Sequence, residues 1–396
     1  MRWTCTRAAL ARGYWLVTAL YLVVIADLRP FQFVLIGTFQ GITVVIAEVP
    51  AGVLADAVSR RLSLVIGHVV MGVGMSTAGL VTAFPLLVAS QCLWGLGWAF
   101  SSGADVAWVT DELDRPDLID GVLIAQARWD LIGTPIGIVA FGMLAWWSSL
   151  SVAIVLSGVA MALLGIVVVA RWPETGFQRA DADQRAGQSV AILRRGLALA
   201  RVDRVIMSVL IATLLVNGSA EVYGRLLNQR LVALGMPTHP DPIVWFAAMS
   251  LVGVLLGALV LATVEARIAG VGVAMRTYVG SCALGVVGLL LFANAPSVAA
   301  AVTGSILVSG IALPVIRAAG VILVNRRTES SVRATVHSLL SQAENAGEIT
   351  LGISLALLAR ATSTAVALTG SAALLAVAGA LLIVTGESPP PTAAQR

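Results

Sequence analysis

The 396-residue sequence has no lysine, and all 25 of its positively charged residues are arginine. This absence excludes a phosphate-binding loop that ends in Gly-Lys-Ser/Thr, a lysine Schiff base and a lysine general base. ATP-driven pumping by this chain alone is excluded for the same reason. Cysteine and histidine are also scarce, with three of each, and their positions have no metal-ligand spacing. We therefore expect neither a metal site nor a cofactor.

Charge of either sign is rare. Only 12% of the residues are charged, whereas 58% are hydrophobic, and soluble domains carry about twice this share of charge. The composition therefore indicates an integral membrane protein. The net charge of +4 does not indicate nucleic-acid binding, because the arginines lie mainly at the ends of the apolar runs.

Apolar runs of spanning length recur along the chain and predict an all-α bundle. The predicted helices are 13–27, 32–56, 62–83, 86–109, 120–146, 150–171, 203–227, 242–264, 272–293, 297–324, 334–359 and 362–384. The segment MRWTCTR before the first helix is interpreted as a short tail. Most arginines then fall in connections on the same side as the N terminus. This bias predicts that both termini face the cytoplasm, in an inner or plasma membrane.

One long polar stretch follows the sixth helix and divides the chain into two halves of six spans. The predicted parts are an N-terminal bundle 1–172, a cytoplasmic linker 173–202, a C-terminal bundle 203–386 and a disordered, proline-rich tail 387–396. Two related bundles around a midplane binding site are typical of secondary transporters.

The segment EVPAGVLADAVSRRLSL is the most informative in the sequence. Gly52 permits close helix approach, Asp56 ends the second helix, and Arg60 of the pair Arg60–Arg61 turns back toward Asp56. This pattern resembles the signature loop of the major facilitator superfamily. The resemblance implies a twelve-helix fold with two six-helix bundles and a gate or charge relay at this loop.

Further residues narrow or qualify the resemblance. Glu48 and Pro50, which precede Gly52, resemble the glutamate and proline that a drug-efflux-like subgroup carries before this glycine. The members of that subgroup are proton antiporters. Two positions depart from the family: Ala57 replaces a basic residue and Ser59 replaces a glycine. The departures predict a shortened charge relay and a less flexible turn.

Two other segments resemble the same subgroup. SGADVAWVTDEL, residues 102–113, resembles its exit from the fourth helix, and GTPIG resembles a shortened form of its antiporter motif. In GTPIG, Pro135 allows a bend, while Gly133 and Gly137 allow tight packing. Antiport and plain helix packing both remain open as explanations of this motif.

Charged residues inside the predicted spans indicate function or structural pairing. Asp105 and Arg128 lie at similar depths in the fourth and fifth helices. Arg317 and Glu344 lie at similar depths in the tenth and eleventh, with the signs exchanged. We expect Asp105 to pair with Arg128, and Arg317 with Glu344, inside the membrane. Each pair serves either as a structural clamp or in proton or substrate binding.

Glu348 lies deeper, one helical turn after Glu344 and near the middle of the membrane. With no obvious basic partner at its depth, it is the first candidate for the proton-carrying group. Asp130 and Glu344 are rival carriers, and a simple hydrogen bond from Glu348 to a neighbouring helix is the alternative. Glu221 and Arg225, spaced four residues apart, are either an external gate pair or a solvated surface pair.

Aromatic and amide side chains are candidates for the substrate cavity. Trp94 and Trp98 share one helix face and are either an aromatic wall for a flat ligand or packing residues. The full set of cavity candidates is Gln40, Trp94, Trp98, Trp129, Asn217, Gln342 and Asn345.

The resemblance implies a secondary active transporter that couples inward proton flow to the export of small amphipathic compounds or drugs. Its expected partners are a small-molecule substrate, protons and the lipid bilayer, without nucleic acid, and the expected state is a monomer. We expect no enzyme, because no nucleophile, base and orienting group recur at workable spacing. The alternatives are a metabolite or siderophore exporter or importer of the same fold, and a non-transporting membrane receptor or assembly factor.

Overall fold

The computed structural model describes residues 2–113, 116–177, 203–268, 270–328 and 330–386. Within those ranges every regular element is a helix. The elements are α1 (Arg2–Val24), α2 (Pro30–Ala57), α3 (Arg60–Ala78), α4 (Phe84–Ser101), α5 (Ala104–Leu113), α6 (Pro116–Trp147), α7 (Leu150–Arg171), α8 (Arg204–Ala233), α9 (Pro242–Glu265), α10 (Val271–Ala293), α11 (Val298–Ser305), a π-helical segment (Ile306–Ala312), α12 (Leu313–Arg327), α13 (Ser330–Ala361) and α14 (Thr364–Gly386).

The described helices form twelve spans. Ten are long and apolar enough to cross a membrane; α4 with α5 counts as one of them, and α11 with the π-helical segment and α12 as another. The other two spans, α1 and α13, are of similar or greater length but more polar. The predicted all-α fold with twelve spanning helices is confirmed, and the protein is a multi-pass membrane protein.

The predicted start of the first helix is wrong. Helix α1 begins at Arg2 instead of residue 13, so Arg7 and Arg12 lie within the helix and not in a tail before it. The segment after Arg2 contains good helix formers such as alanine, leucine and arginine, and no proline interrupts it. The other predicted helices begin and end within two helical turns of the observed bounds.

Serine and aspartate residues explain where several helices begin. The Ser59 hydroxyl accepts a hydrogen bond from the Leu62 backbone N–H and caps α3. Ser149 and Ser297 cap α7 and α11 in the same way. Such caps satisfy backbone N–H groups that have no partner within the helix.

The described residues group into two compact units. Unit 1 comprises Met1–Gln184 and Pro237–Leu251, and unit 2 comprises Arg185–Met236 and Val252–Arg396, as far as the described ranges extend. The first part of α9 therefore groups with unit 1, unlike the predicted division at 173–202. Residues 178–202 of the predicted linker and the whole predicted tail 387–396 lie outside the described residues.

The two units repeat one packing pattern. In unit 1, α1 packs on α6 and α7, and α3 packs on α4 and α7. In unit 2, α8 packs on α13 and α14, and α10 packs on α14 and on the α11–α12 span. In each unit, therefore, the first span packs on the fifth and sixth spans, and the third span packs on the fourth and sixth.

Candidate functional site

Arg60 joins two of the segments that carry the family resemblance. It is the first residue of α3, and its Nη2 lies 3.7 Å from Oδ1 of Asp56 at the end of α2. Its Nη1 lies closer, 2.9 Å, to Oδ2 of Asp111 in α5. The guanidinium therefore bridges two carboxylates within unit 1. Sequence reasoning named Asp56 and missed Asp111, although Asp111 lies in the segment 102–113.

The segment after α7 docks on the start of α3 through Glu174. The Ser59 hydroxyl donates to Glu174 Oε2 at 2.6 Å, and the Arg61 backbone N–H donates to Oε1 at 2.9 Å. The Arg61 side chain also donates to the carbonyl oxygen of Trp172 at 2.9 Å. Ser59 therefore holds the turn through its cap and Glu174, which accounts for a hydroxyl at a position where the family usually has glycine.

Gly52 and Glu48 make less contact than their place in the motif predicts. A Cβ added to Gly52 would meet nothing within 4 Å, so the close helix approach expected there is absent from the described structure. The Glu48 side chain is exposed on α2. Among Glu48, Gly52, Asp56, Arg60 and Arg61, the predicted gate residues, those with polar contacts are therefore Asp56, Arg60 and Arg61.

The glycines of the GTPIG motif bring α6 against the backbone of α1. A Cβ on Gly133 would overlap the carbonyl oxygen of Cys5, and one on Gly137 would overlap that of Ala9. Pro135 lies between them inside α6. This geometry is helix packing, which was one of the two explanations left open for the motif.

Asp105 pairs with α1 and not with α6. Its Oδ2 lies 3.4 Å from Nη2 of Arg7, and the two side chains are 12% and 18% exposed. The Arg7 guanidinium also lies over the Trp3 ring, 4.7 Å from its centroid. Arg128 is exposed on α6 and has no carboxylate within ion-pair distance among the described residues. The expected Asp105–Arg128 pair is therefore wrong, because the longer α1 supplies a nearer arginine.

The Arg7–Asp105 pair lies on a cleft of about 500 Å³ in unit 1. One wall comes from α1 and α5, and the other from α6. The rival carrier Asp130 is on the α6 wall and is half-buried. The lining residues are Thr4, Arg7, Asp105, Leu123, Gln126, Ala127, Asp130 and Leu131.

The tryptophans predicted on one face of the fourth span do stack. The ring centroids of Trp94 and Trp98 are 5.6 Å apart with nearly parallel planes. Trp94 is buried against Trp15, and Trp98 is 38% exposed with its ring 6.0 Å from the Arg7 guanidinium. The stack therefore extends from the core of unit 1 toward Arg7.

The other cavity candidates of unit 1 lie outside the described cleft. Gln40 is buried on α2, where its backbone carbonyl oxygen faces Gly95 of α4. Trp129 is half-buried on α6 and does not line the cleft. Neither side chain is therefore placed to contact a compound in this cleft.

In unit 2, Arg317 and Glu344 line the same small cavity of about 50 Å³, together with Asn217. Arg317 Nη2 donates to Asn217 Oδ1 at 3.3 Å. Between Arg317 and Glu344 themselves the described residues show no ion pair, so the second expected pair shares a cavity without direct contact. The side chain that accepts a hydrogen bond from Arg317 is thus the neutral amide of Asn217 on α8.

Glu348 has two arginines within electrostatic range, Arg225 and Arg317, contrary to the expectation that it has no basic partner. It lies within electrostatic reach of Glu221, Arg225, Arg317 and Glu344. Glu221 and Arg225 form an ion pair of 2.8 Å on α8, with side chains 17% and 18% exposed. That low exposure argues against a solvated surface pair.

Two further cavity candidates of unit 2 lie on α13. Gln342 is exposed and Asn345 is half-buried on α13, and neither lines the small cavity. Within the described part of the chain no three His, Cys, Asp or Glu residues form a group that could hold a metal ion.

Comparisons with known proteins agree with this architecture. A family model described as Major Facilitator Superfamily matches residues 7–349. A search of curated proteins by sequence found no match.

Solved structures of transporters resemble the chain over nearly its whole length. The nucleoside transporter NupG superposes with a TM-score of 0.77 at 16% identity, covering 98% of each chain. A bacterial homolog of the human lysosomal transporter Spinster, inward-facing and occupied, gives 0.74 at 12% identity and covers 98% of this chain and 96% of its own. A POT family transporter in complex with a thioalcohol-conjugated peptide gives 0.72 at 12% identity, with 97% and 95% covered. At these identities the likeness shows the fold, and together with the family match it establishes that the chain belongs to the major facilitator superfamily of membrane transporters.

Proposed function

We propose that the chain is a secondary active transporter that exports a small amphipathic compound across the cytoplasmic membrane in exchange for inward-flowing protons. The export direction is supported by the segments 48–64 and 102–113, which resemble drug-efflux members. The arginine bias supports an orientation with both termini in the cytoplasm. The working unit in this proposal is the monomer.

Proton coupling is carried by one observation, the charged cluster around Glu348. It combines three carboxylates with two guanidiniums, which leaves one excess negative charge. Ionisable residues inside a membrane protein are costly and mark functional sites, among them proton relays. A single proton taken up by the cluster cancels the excess. Opening to cytoplasmic water then favours its release, because water stabilises the free carboxylate.

The size of the cavity beside this cluster favours protons and water over an organic compound. Its volume of about 50 Å³ exceeds the ~10–15 Å³ that a water molecule requires. Ligand pockets usually measure about 300–1,000 Å³. The cluster in unit 2 is therefore suited to a proton, and the cleft in unit 1 is large enough for the transported compound.

The decisive experiment measures proton flux in proteoliposomes across a panel of small amphipathic compounds. A pH dye inside the vesicles reports the flux, and compound accumulation against its gradient reports uphill transport. We expect Glu348→Gln to bind a transported compound and to allow downhill exchange, while uphill transport and coupled proton flux are lost. The conservative Glu348→Asp variant keeps an ionisable carboxylate and should keep part of the coupling.

The rival carriers are tested in the same vesicles. Glu344→Gln should reduce coupling only in part, because the proposed proton carrier, Glu348, remains ionisable. Uphill transport by Glu348→Gln at the parent's rate would refute its assignment. If no compound moves protons while the purified protein still binds one of them, the non-transporting receptor becomes the better explanation.

A further inference from the structure

We propose that the transported compound is amphoteric, with an ammonium group and a carboxylate, and that unit 1 binds it between Asp130 and Arg7. This inference rests on the proposed transport function and adds the chemical class of the substrate.

The cleft presents charges of both signs on separate walls. Arg7 and Asp105 come from α1 and α5, whereas Asp130 comes from α6. The volume of about 500 Å³ lies within the usual range for ligand pockets, about 300–1,000 Å³. A compound with the bulk of one or two rings therefore fits between the walls.

Arg7 retains hydrogen-bond donors for an anionic group. Its ion pair with Asp105 is a single contact of 3.4 Å, and a guanidinium has five N–H donors. The Trp3 ring supports one face of the guanidinium and so limits its rotation. A planar guanidinium held in this way suits a carboxylate, which it binds through two parallel hydrogen bonds.

Asp130 is the acidic counterpart on the opposite wall. Its carboxylate has no ion-pair partner among the described residues, whereas Asp105 is already paired with Arg7 and accepts a hydrogen bond from the Val106 N–H at 2.9 Å. An ammonium group therefore finds its best partner at Asp130. A simple anion would meet two carboxylates, and a simple cation would leave the donors of Arg7 unused.

The apolar part of the compound has its own surface in the cleft. Leu123, Ala127 and Leu131 lie on the same α6 wall as Asp130. They provide a hydrophobic strip beside the charged groups, which is the usual composition of a small-molecule site. An amino acid with a large apolar side chain has all three features.

The test uses three compounds that share an indole ring and differ in charge. They are L-tryptophan, which is zwitterionic, tryptamine, which is a cation, and indole-3-propionate, which is an anion. Binding to the purified full-length protein is measured by isothermal titration without a proton gradient. We expect tryptophan to bind at least about tenfold more tightly than either analogue.

Two variants should separate the two charged contacts. Arg7→Gln should weaken tryptophan binding to the level of tryptamine without weakening tryptamine. Asp130→Asn should weaken tryptophan to the level of indole-3-propionate and abolish tryptamine binding. If Arg7→Gln does not fold, Arg7→Lys keeps the charge without the planar fork and should give an intermediate loss for tryptophan alone.

Matched controls are exposed residues of the same unit. Arg2→Gln removes an exposed arginine from α1, and Asp27→Asn removes an exposed carboxylate between α1 and α2. Asn tolerates the positive φ of 48° at position 27. Neither variant should change the binding of any of the three compounds, and equal losses in them would attribute the effect to net charge and overturn the site.

The outcomes distinguish this inference from the proposed function. Tryptamine binding as tight as tryptophan, or no binding of any of the three, overturns the amphoteric site even if other compounds drive proton flux. A clear preference for tryptophan that depends on Arg7 and Asp130 supports the site, even if no compound moves protons. In that last case the binding site stands and the non-transporting receptor replaces the proposed transporter.

Discussion

The two units share a helix framework but arrange their buried charges differently. In unit 1 the Arg7–Asp105 ion pair lies beside indole rings and on a wide cleft. In unit 2 four charged side chains lie within electrostatic range of Glu348, and two of them, Arg317 and Glu344, line a cavity of about 50 Å³. A wide cleft with charges of both signs on separate walls suits a compound, whereas a narrow cavity beside clustered charges suits a proton. The difference shows that repeated bundles diverge in side chains while their packing stays the same.

The shared framework depends on glycines at equivalent helix contacts. In unit 1, Gly137 brings α6 onto α1, and in unit 2, Gly347 brings α13 onto α8. Small residues at such contacts let backbones approach closely. The repeat is therefore visible in packing even where the charged residues differ.

The largest expected effect tests this shared framework. Gly137→Val would place a side chain on the Ala9 carbonyl, and Gly347→Val would place one on that of Leu214. Each variant should lose about 4 kcal/mol or more of stability, enough to abolish folding. Fluorescence-detected size exclusion in detergent would show loss of the monodisperse peak. Gly121→Val, in α6 with open space around it, should keep the peak, and folded protein from both core variants would contradict the packing.

The next prediction concerns the ion pair of unit 1. Arg7→Gln should destabilise the protein by about 3 kcal/mol, because it leaves the mostly buried Asp105 carboxylate without its partner. Adding Asp105→Asn should restore most of the loss. Thermal unfolding of the two single variants and the double variant gives the coupling energy. The control is the cycle of Arg128→Gln with Asp105→Asn, and coupling there would reinstate the α5–α6 pair.

The equivalent cycle in unit 2 should give a smaller coupling. Arg317→Ala removes a positive charge near Glu344, and Glu344→Gln should then restore part of the loss. We expect a coupling of about 1 kcal/mol, because the nearest partner of Arg317 is the neutral Asn217 at 3.3 Å. The same thermal measurement applies. A coupling as large as that of Arg7 with Asp105 would remove the contrast between the units, and purely additive losses would show that the shared cavity creates no interaction.

The framework was predictable from the sequence because span length and apolar composition are properties of each segment alone. Ten of the twelve described spans follow from that rule, and α1 and α13 are more polar. The start of α1 does not follow from it, because Arg2, Arg7 and Arg12 interrupt the apolar run although helix propensity continues through them. The continuous helix propensity from Arg2 onward was the signal that would have placed Arg7 inside α1.

Charge partners were less predictable than charged positions. Depth along a helix placed Asp105 and Arg128 at the same level, yet pairing also depends on how each helix is rotated and on neighbours elsewhere in the chain. The same limit explains why Glu348 was expected to lack basic neighbours. Its basic neighbours, Arg225 and Arg317, lie on α8 and α12, so no residue spacing within α13 reveals them.

The smallest expected effect distinguishes the two carboxylates that Arg60 bridges. Arg60 lies 2.9 Å from Asp111 and 3.7 Å from Asp56, so Asp111→Asn should slow transport more than Asp56→Asn. The three side chains are partly exposed, and such pairs contribute at most about 1 kcal/mol each, which corresponds to about a fivefold change in rate.

Initial transport rates, measured in vesicles at equal expression, provide the comparison. The matched control is Glu112→Gln, which removes the neighbouring α5 carboxylate that binds the backbone of Thr175 and not Arg60. Its loss should leave the ranking of the two aspartates unchanged. A larger effect of Asp56→Asn would assign the gate to the signature loop alone. Because Asp111 is on α5 and Asp56 on α2, the opposite ranking would mean that Arg60 links the loop chiefly to the fourth span.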